Sequence, residues 1–259
     1  MSNMPKWERQ LGVFHSLLEE LANEREKSEG KLRFNRLFII ASDIAQQYFC
    51  EKKVEMQYLH GDIETAEKTV GTEAHEKLLA DSVKIQERDL WRKIYGRKPF
   101  SVLEMLLLAR HKDVILAGRP DSLLFCNGYP IIVFEYKFSK STIAYMTHHV
   151  QARTYGILLN NMGFDTSRLF YAVVIADPEA RHDKDLKRKV FDAVGKNGPK
   201  EAVLNIGKGA VHFHKFNQAE AEKDLDWAVE FWKKTREPIM TSNPNKCKSC
   251  VYKVECQKT

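Results

Sequence analysis

The run Ile131-Ile132-Val133-Phe134-Glu135-Tyr136-Lys137-Phe138 constrains this chain more than any other stretch. Apolar residues occupy both parities, the pattern of a strand covered on both faces. Burying Glu135 and Lys137 in such a strand costs on the order of several kcal/mol unless they are paired or bind a metal. Side chains alternate along a strand, so Glu135 and Lys137 share a face. One can then hold a cation while the other stands beside whatever that cation activates.

Upstream, Gly118-Arg119-Pro120-Asp121 leads into a second strand, and Asn127-Gly128 supplies a tight hairpin turn between the two. A plain two-residue turn pairs Cys126 with Tyr129 and sets Asp121 opposite Phe134, which leaves Asp121 and Glu135 on opposite faces. A three-residue loop with Gly128 left-handed sets Asp121 opposite Val133, diagonal to Glu135. A shared carboxylate site therefore predicts an odd loop or a bulge in this hairpin.

At 259 residues the chain is long enough for one large domain with additions. Residues 1–37 are expected to form a helical N-terminal extension, with Trp7, Leu11, Phe14, Leu17, Leu18 and Leu21 at helical spacing, and residues 38–259 the main domain. A net charge of +6 and a pI near 8.9 permit an acidic partner such as nucleic acid without demanding one. No apolar run approaches the roughly 18 residues of a membrane span, and Met1 to Gln10 lacks the apolar core of a secretory signal. The expectation is a soluble, cytoplasmic protein with no membrane partner.

Along the chain, Ser42-Asp43 offers an N-cap for a helix carrying Ile44, Tyr48 and Phe49 and ending near Cys50. A helix from about Gly71-Thr72 carries His75 on the face of Leu78 and Leu79, so His75 points inward. Residues 83–113 read as charged and irregular, with the Val102 to Leu108 run open between helix and strand. A helix from about Thr142 to Asn160 carries Gln151 and Tyr155 four apart on one face, with His148 near it. Leu169 to Ile175 is a continuous apolar strand, and Arg181 to Lys200 is a basic segment. His212 and His214 share one face of an alternating strand and read as surface residues without acidic companions. Asn217 and Glu220 form a capping box for a last long helix that Pro238 stops. The absence of a GxxxxGK[ST] loop removes an NTP-driven motor from consideration.

The tail holds Cys247 and Cys250 at CxxC spacing and Cys256 six further on. Three thiolates want a fourth for a tetrahedral sulfur site, and Cys50, at a helix end, is a more accessible candidate than Cys126 beside the turn. The residues alone allow zinc as readily as iron–sulfur. Ligation from residue 50 to residue 256 would fasten the ends of the domain and turn metal affinity into folding energy. Asp121, Glu135 and Lys137, with His75 as a further member, make the second constellation. Carboxylate oxygens suit magnesium or manganese, an imidazole shifts the preference toward manganese, and a lysine can orient an attacking water or stabilise charge in phosphodiester hydrolysis.

Gly71-Thr72-Glu73-Ala74-His75, Gly118-Arg119-Pro120-Asp121, Glu135-Tyr136-Lys137 and Gln151-Ala152-Arg153-Thr154-Tyr155, in that order and followed by a cysteine-rich tail, resemble the RecB-type branch of the PD-(D/E)xK nucleases. With Cys50, Cys247, Cys250 and Cys256 the resemblance narrows to the CRISPR-associated iron–sulfur nucleases of spacer acquisition, an antiviral defence system. It spans roughly residues 38–177 and 238–257.

The resemblance implies a restriction-endonuclease-like α/β fold, a mixed β-sheet core flanked by helices, with a cluster joining the N-terminal and C-terminal segments. It implies that His75, Asp121, Glu135 and the Tyr136 carbonyl hold Mg2+ or Mn2+, that Lys137 is the catalytic lysine, and that Gln151 and Tyr155 line the DNA path. It implies a [4Fe-4S] cluster on Cys50, Cys247, Cys250 and Cys256. The implied activity is an exonuclease on single-stranded DNA or DNA ends, with CRISPR integrase proteins as partners and oligomers allowed. A free-standing DNA repair or viral exonuclease, or a catalytically silent DNA-end-binding partner of an integrase, are the alternative readings.

Overall fold

The computed structural model describes residues 4–26, 30–63 and 85–258. The expected His75 helix lies outside the described residues. Helix α1 (Lys6–Glu26) buries Phe14 and Leu17. Strand β1 (Ile39–Ile40) leads into α2 (Ala41–Gln47) and then α3 (Glu51–His60). The expected Ser42-Asp43 cap does not form. Helix α2 starts at Ala41, with extended Ile40 at its N-cap two residues before Ser42, and Asp43 is buried and accepts the Tyr58 hydroxyl hydrogen bond instead.

The stretch read as irregular holds α4 (Glu87–Ile94), whose Trp91 and Ile94 are buried, then β2 (Phe100–Leu103) and β3 (Leu107–His111). The Val102 to Leu108 run is thus two strand pieces, broken at Glu104, whose φ of 45° is left-handed. Then follow β4 (Val114–Gly118), β5 (Ser122–Cys126), β6 (Tyr129–Phe138), α5 (Met146–Asn161) and β7 (Phe170–Ala176). The basic segment contains α6 (Leu186–Asn197), and β8 (Ala202–Asn205), β9 (Gly209–Lys215) and α7 (Gln218–Trp232) complete the body. The side chain of Asn217 caps α7 by accepting from the Glu220 N–H. Pro238 does not end this helix. It stops at Trp232, and Lys234 turns left-handed at φ 61°, four residues before the proline. Two short helices, α8 (Pro244–Lys248) and α9 (Lys253–Cys256), form the cysteine tail.

The strands form mixed sheets. One has the order β2-β5-β6-β7-β9-β8, with β6 and β7 parallel and its other neighbours antiparallel; a smaller one has the order β1-β4-β3, with β1 parallel to β4. A parallel pair needs a crossover, and α5 supplies it between β6 and β7. As the two-parity pattern requires, β6 is covered on both faces. Val133 joins the core that includes Val150, Ile157 and Leu158 of α5, whereas Ile132, Phe134 and Tyr136 pack with Leu186, Val190 and Val194 of α6.

The chain returns from α7 onto α3 through a buried charge pair. Glu51 is 1 % exposed, and its carboxylate takes the Arg236 guanidinium in a bidentate grip at 2.5 and 2.6 Å. The Gln47 amide and the Ile239 N–H, both at 2.8 Å, complete its shell. Removing one partner of such a pair strands a desolvated charge. Arg236→Met is therefore expected to lower stability to urea by about 3–5 kcal/mol, and the double variant Glu51→Met/Arg236→Met to recover part of that loss.

Candidate active site

The hairpin contains the bulge that a shared carboxylate site requires. Asn127 and Gly128 form the turn with φ values of 53° and 79°, both left-handed, so Cys126 pairs with Tyr129 across a two-residue connection. The register then shifts: Phe125 pairs with Pro130 but Leu124 with Ile132, which leaves Ile131 as one extra residue on β6. Beyond it, Ser122 faces Phe134, the last pair of the ladder, and continuing that register sets Asp121 level with Glu135 on one face. The Asp121 carboxylate Oδ2 accepts the Tyr136 N–H at 2.6 Å, which fixes it against the strand.

Glu135 is 2 % exposed, and its Oε1 lies 2.7 Å from Lys137 Nζ. Burial works against the charge on Lys137, but the Glu135 carboxylate and then Asp121 overcome it and hold the lysine above its ordinary range. Lys137 Nζ also donates to Gln151 Oε1 at 3.2 Å, Gln151 Nε2 to the Tyr155 hydroxyl at 2.9 Å, and that hydroxyl to the Arg119 carbonyl at 3.2 Å. Burial first, and the nearby Glu135 charge second, raise the Tyr155 phenol well above its usual value, so it stays a neutral donor. Tyr155 reaches this place because Gly118 lacks a Cβ, which would stand 2.7 Å from its ring.

Asp121, Glu135, Tyr136, Lys137, Gln151 and Tyr155 thus come together at one end of β6 under α5, while His75 lies outside the described residues. Two carboxylates and a strand carbonyl are hard oxygen donors of the kind that suit Mg2+ or Mn2+. With an ammonium 2.7 Å from one carboxylate, the group can hold a cation and place a proton donor beside it.

The cysteines give a different outcome. Among the described residues, no group of three or more His, Cys, Asp or Glu side chains converges to hold a metal ion, so the expected iron–sulfur ligand set is not assembled. The four tail-associated thiols nevertheless share a neighbourhood. Burial, then Cys50, Cys250 and Cys247, push the Cys256 thiol up, because bringing like charges together disfavours each thiolate. Cys50 is buried and accepts the Thr241 N–H at 3.4 Å, and the Tyr252 hydroxyl donates to the Gly61 carbonyl at 2.6 Å, which seats the tail on α3. Four sulfur donors match zinc or iron–sulfur in chemistry, while their arrangement here is open. Cys126 stands apart, with its sulfur 3.7 Å from the Arg97 carbonyl.

Sequence reasoning missed Arg153. It is 4 % exposed inside α5 and pairs with Asp224 and Glu220, so it fixes the helix that carries Gln151 and Tyr155 onto α7. An arginine within a buried helix was a readable signal, but its partners lie 71 and 67 residues away along the chain. The reading of His212 and His214 as plain surface residues is also corrected. They are half-buried and gather with His149, at ring separations of 6.4 and 5.1 Å, and His214 has Glu201 at 3.9 Å.

The sequence model described as PD-(D/E)XK nuclease superfamily matches residues 8–257 of this chain. No curated protein matches it. A solved structure titled "Crystal structure of SSO0001" is similar at 14 % identity and a TM-score of 0.46, covering 93 % of this chain and 94 % of that one. No membrane-length apolar helix occurs among the described residues.

The histidines make stability depend on pH. Burial pushes His148 down to about 4, aided by Lys137, and His149 down to about 4, aided by His214. The unfolded chain takes up these protons near the ordinary value of about 6.5, whereas the folded protein resists until about 4. Their contribution is therefore complete above about pH 6.5 and is lost as pH falls through that window. Urea midpoints are expected to drop between those limits, and less steeply in His148→Gln/His149→Gln.

Proposed function

Because this chain belongs to the PD-(D/E)XK nuclease superfamily, we propose that it is a metal-dependent deoxyribonuclease whose active centre is the bulged hairpin, with Asp121, Glu135 and Lys137 as catalytic residues. Single-stranded DNA or DNA overhangs are the proposed substrate. The observation that carries this reading is the register: one extra residue at Ile131 turns Asp121 and Glu135 to the same face, with the lysine beside them.

Members of this superfamily use divalent metals such as Mg2+ or Mn2+. Here the Asp121 and Glu135 carboxylates and the Tyr136 carbonyl would hold the cation, which when bound supplies charge neutralisation at the scissile phosphate. The chain's own residues do the rest. Lys137, charged at neutral pH, orients the attacking water and stabilises negative charge as it develops. Gln151 and Tyr155 hold the amine in place through a hydrogen-bonded relay that ends on the main chain. Glu135, with 3 % of its side chain exposed, is shielded from screening by water, while Lys137, 29 % exposed, reaches solvent.

We extend the proposal to the cysteine tail. By the chain's resemblance to the iron–sulfur nucleases, a structural metal centre on Cys50, Cys247, Cys250 and Cys256, a [4Fe-4S] cluster, goes with the narrower role of trimming DNA ends for a CRISPR integrase. No catalytic step passes through that centre.

The test is an assay of labelled single-stranded DNA and of duplexes with overhangs of each polarity, with magnesium and with manganese. Lys137→Ala is expected to lower cleavage by at least roughly a hundredfold. A variant as active as wild type sinks the assignment. For the tail, anaerobically purified protein is expected to be brown, and Cys250→Ala to lose the visible absorbance. Colourless wild-type protein carrying zinc selects the other sulfur-ligated metal.

A further inference from the structure

At the end of β6 away from Lys137, basic side chains gather around the hairpin tip. The Asn127 and Gly128 N–H groups donate to the Gly96 and Ile94 carbonyls, and the Cys126 sulfur lies 3.7 Å from the Arg97 carbonyl, so the tip sits against the end of α4. Exposed Lys93, Arg97 and Lys98 stand there. Beyond the tip Arg168, also exposed, lies over the Tyr129 ring at 5.2 Å. Among the described residues none of these four cations makes an ion pair. Asp165, held below its ordinary range by Ser167 first, feels Lys6 and Arg168 only from further off. Glu8 and Asp89 are already taken, by Arg88 at 2.8 Å and by Arg92 at 3.5 Å.

The rings of this surface are half-buried, and each lies under a cation. Arg168 covers Tyr129, Lys93 lies over Phe100 at 5.7 Å, and Arg88 and Arg92 lie over Trp7 at 5.6 and 5.9 Å. A single strand is held largely by stacking its bases on aromatic rings, and here those rings are covered. A duplex stacks its own bases inside and offers backbone phosphates, which lysine and arginine meet without reading sequence. Trp91 and Ile94 of α4 pack in the same core as Val133 and α5, so the cations lie on the side of the sheet that Glu135 faces. From Tyr129 to Lys137 the strand spans about 27 Å at roughly 3.4 Å per residue, a length that a straight duplex covers in about eight base pairs.

Resting on the nuclease reading above, we propose that the hairpin tip and the end of α4 form a second DNA-contact surface, for the double-stranded part of the substrate: Lys93, Arg97, Lys98 and Arg168 hold backbone phosphates about eight base pairs from the end being cut. The chain thereby favours a DNA end still attached to a duplex over a free single strand. Base identity plays no part in that preference, because the contact is to phosphates.

The experiment is fluorescence anisotropy of the full-length protein, without magnesium or manganese, across a salt series. The first labelled probe is a duplex of about sixteen base pairs, roughly twice the reach of the tip, with a single-stranded overhang. The second is the same overhang on about four base pairs, and the third is the overhang strand alone. Lys93→Gln/Arg97→Gln/Lys98→Gln is expected to weaken binding of the long duplex at least about tenfold and to flatten its dependence of log Kd on log salt by about 2.7, or about 0.9 for each lost phosphate contact. Its affinity for the other two probes is expected to equal that of wild type. Lys93→Arg/Arg97→Lys/Lys98→Arg, which keeps the charges, is expected to bind the long duplex as wild type does. Lys208→Ala, which removes a surface lysine paired with Glu179, serves as the control. A triple glutamine variant that binds the long duplex like wild type, or that loses equally on all three probes, in a preparation whose wild type cuts DNA, overturns the second surface and leaves the nuclease reading standing. Wild-type protein that neither binds nor cuts any of the probes overturns both.

Discussion

One inserted residue sets the register of the hairpin that carries Asp121 and Glu135. The two-residue turn at Asn127-Gly128 docks on the end of α4, where the Asn127 and Gly128 N–H groups donate to the Gly96 and Ile94 carbonyls. A turn held in that way fixes the pairing at the hairpin tip, and an unbulged ladder would then carry Asp121 to the face opposite Glu135. The extra residue at Ile131 reverses this, since the side-chain period of a strand is two and a shift of one exchanges the faces. It also puts Ile131 and Ile132 in contact with the same core, on the α6 side of the sheet. The bulge therefore adjusts the packing and the placement of the carboxylates in a single step.

The face on which the carboxylates meet is closed by α5, and α5 is held by charges. Arg153 on its far side reaches Asp224 and Glu220 of α7. Gly156 allows Phe216 to approach so closely that a Cβ would stand 2.3 Å from its ring. The helix is thus pinned by an ion pair on one residue and by close contact at another, and Gln151 lies between these anchors and Lys137. A second pair, Glu51 with Arg236, performs the same task for the opposite end of the chain, where it brings the tail back beside Cys50. Both pairs join residues distant in sequence, so the position of the chemistry depends on contacts made late in the chain.

Much of this was legible from the sequence because it follows from local periodicity. The two-faced strand, the helix of Gln151 and Tyr155, the cap at Asn217 and the need for an irregular hairpin all rest on neighbours within a few residues. What stayed hidden depends on distant partners. Asp43 reads as a cap until Tyr58 claims its carboxylate, and His212 and His214 read as solvated until α5 lays His149 against them. The end of α7 is set by a left-handed residue, Lys234, and no residue-type rule marks a lysine for that conformation. The cysteine spacing pointed to a metal centre, but among the described residues the thiols do not come together as a ligand set.

The relay from Lys137 through Gln151 and Tyr155 ends on the Arg119 carbonyl, one residue after Gly118. Its position is therefore measured from the backbone, and the gap left by the missing side chain of Gly118 sets how near Tyr155 can come. A Cβ there would meet the Tyr155 ring and Leu158 first. It would displace the Tyr155 strut on which the amine rests, so the tolerance of the proposed centre is written at a position that contributes no functional group to it.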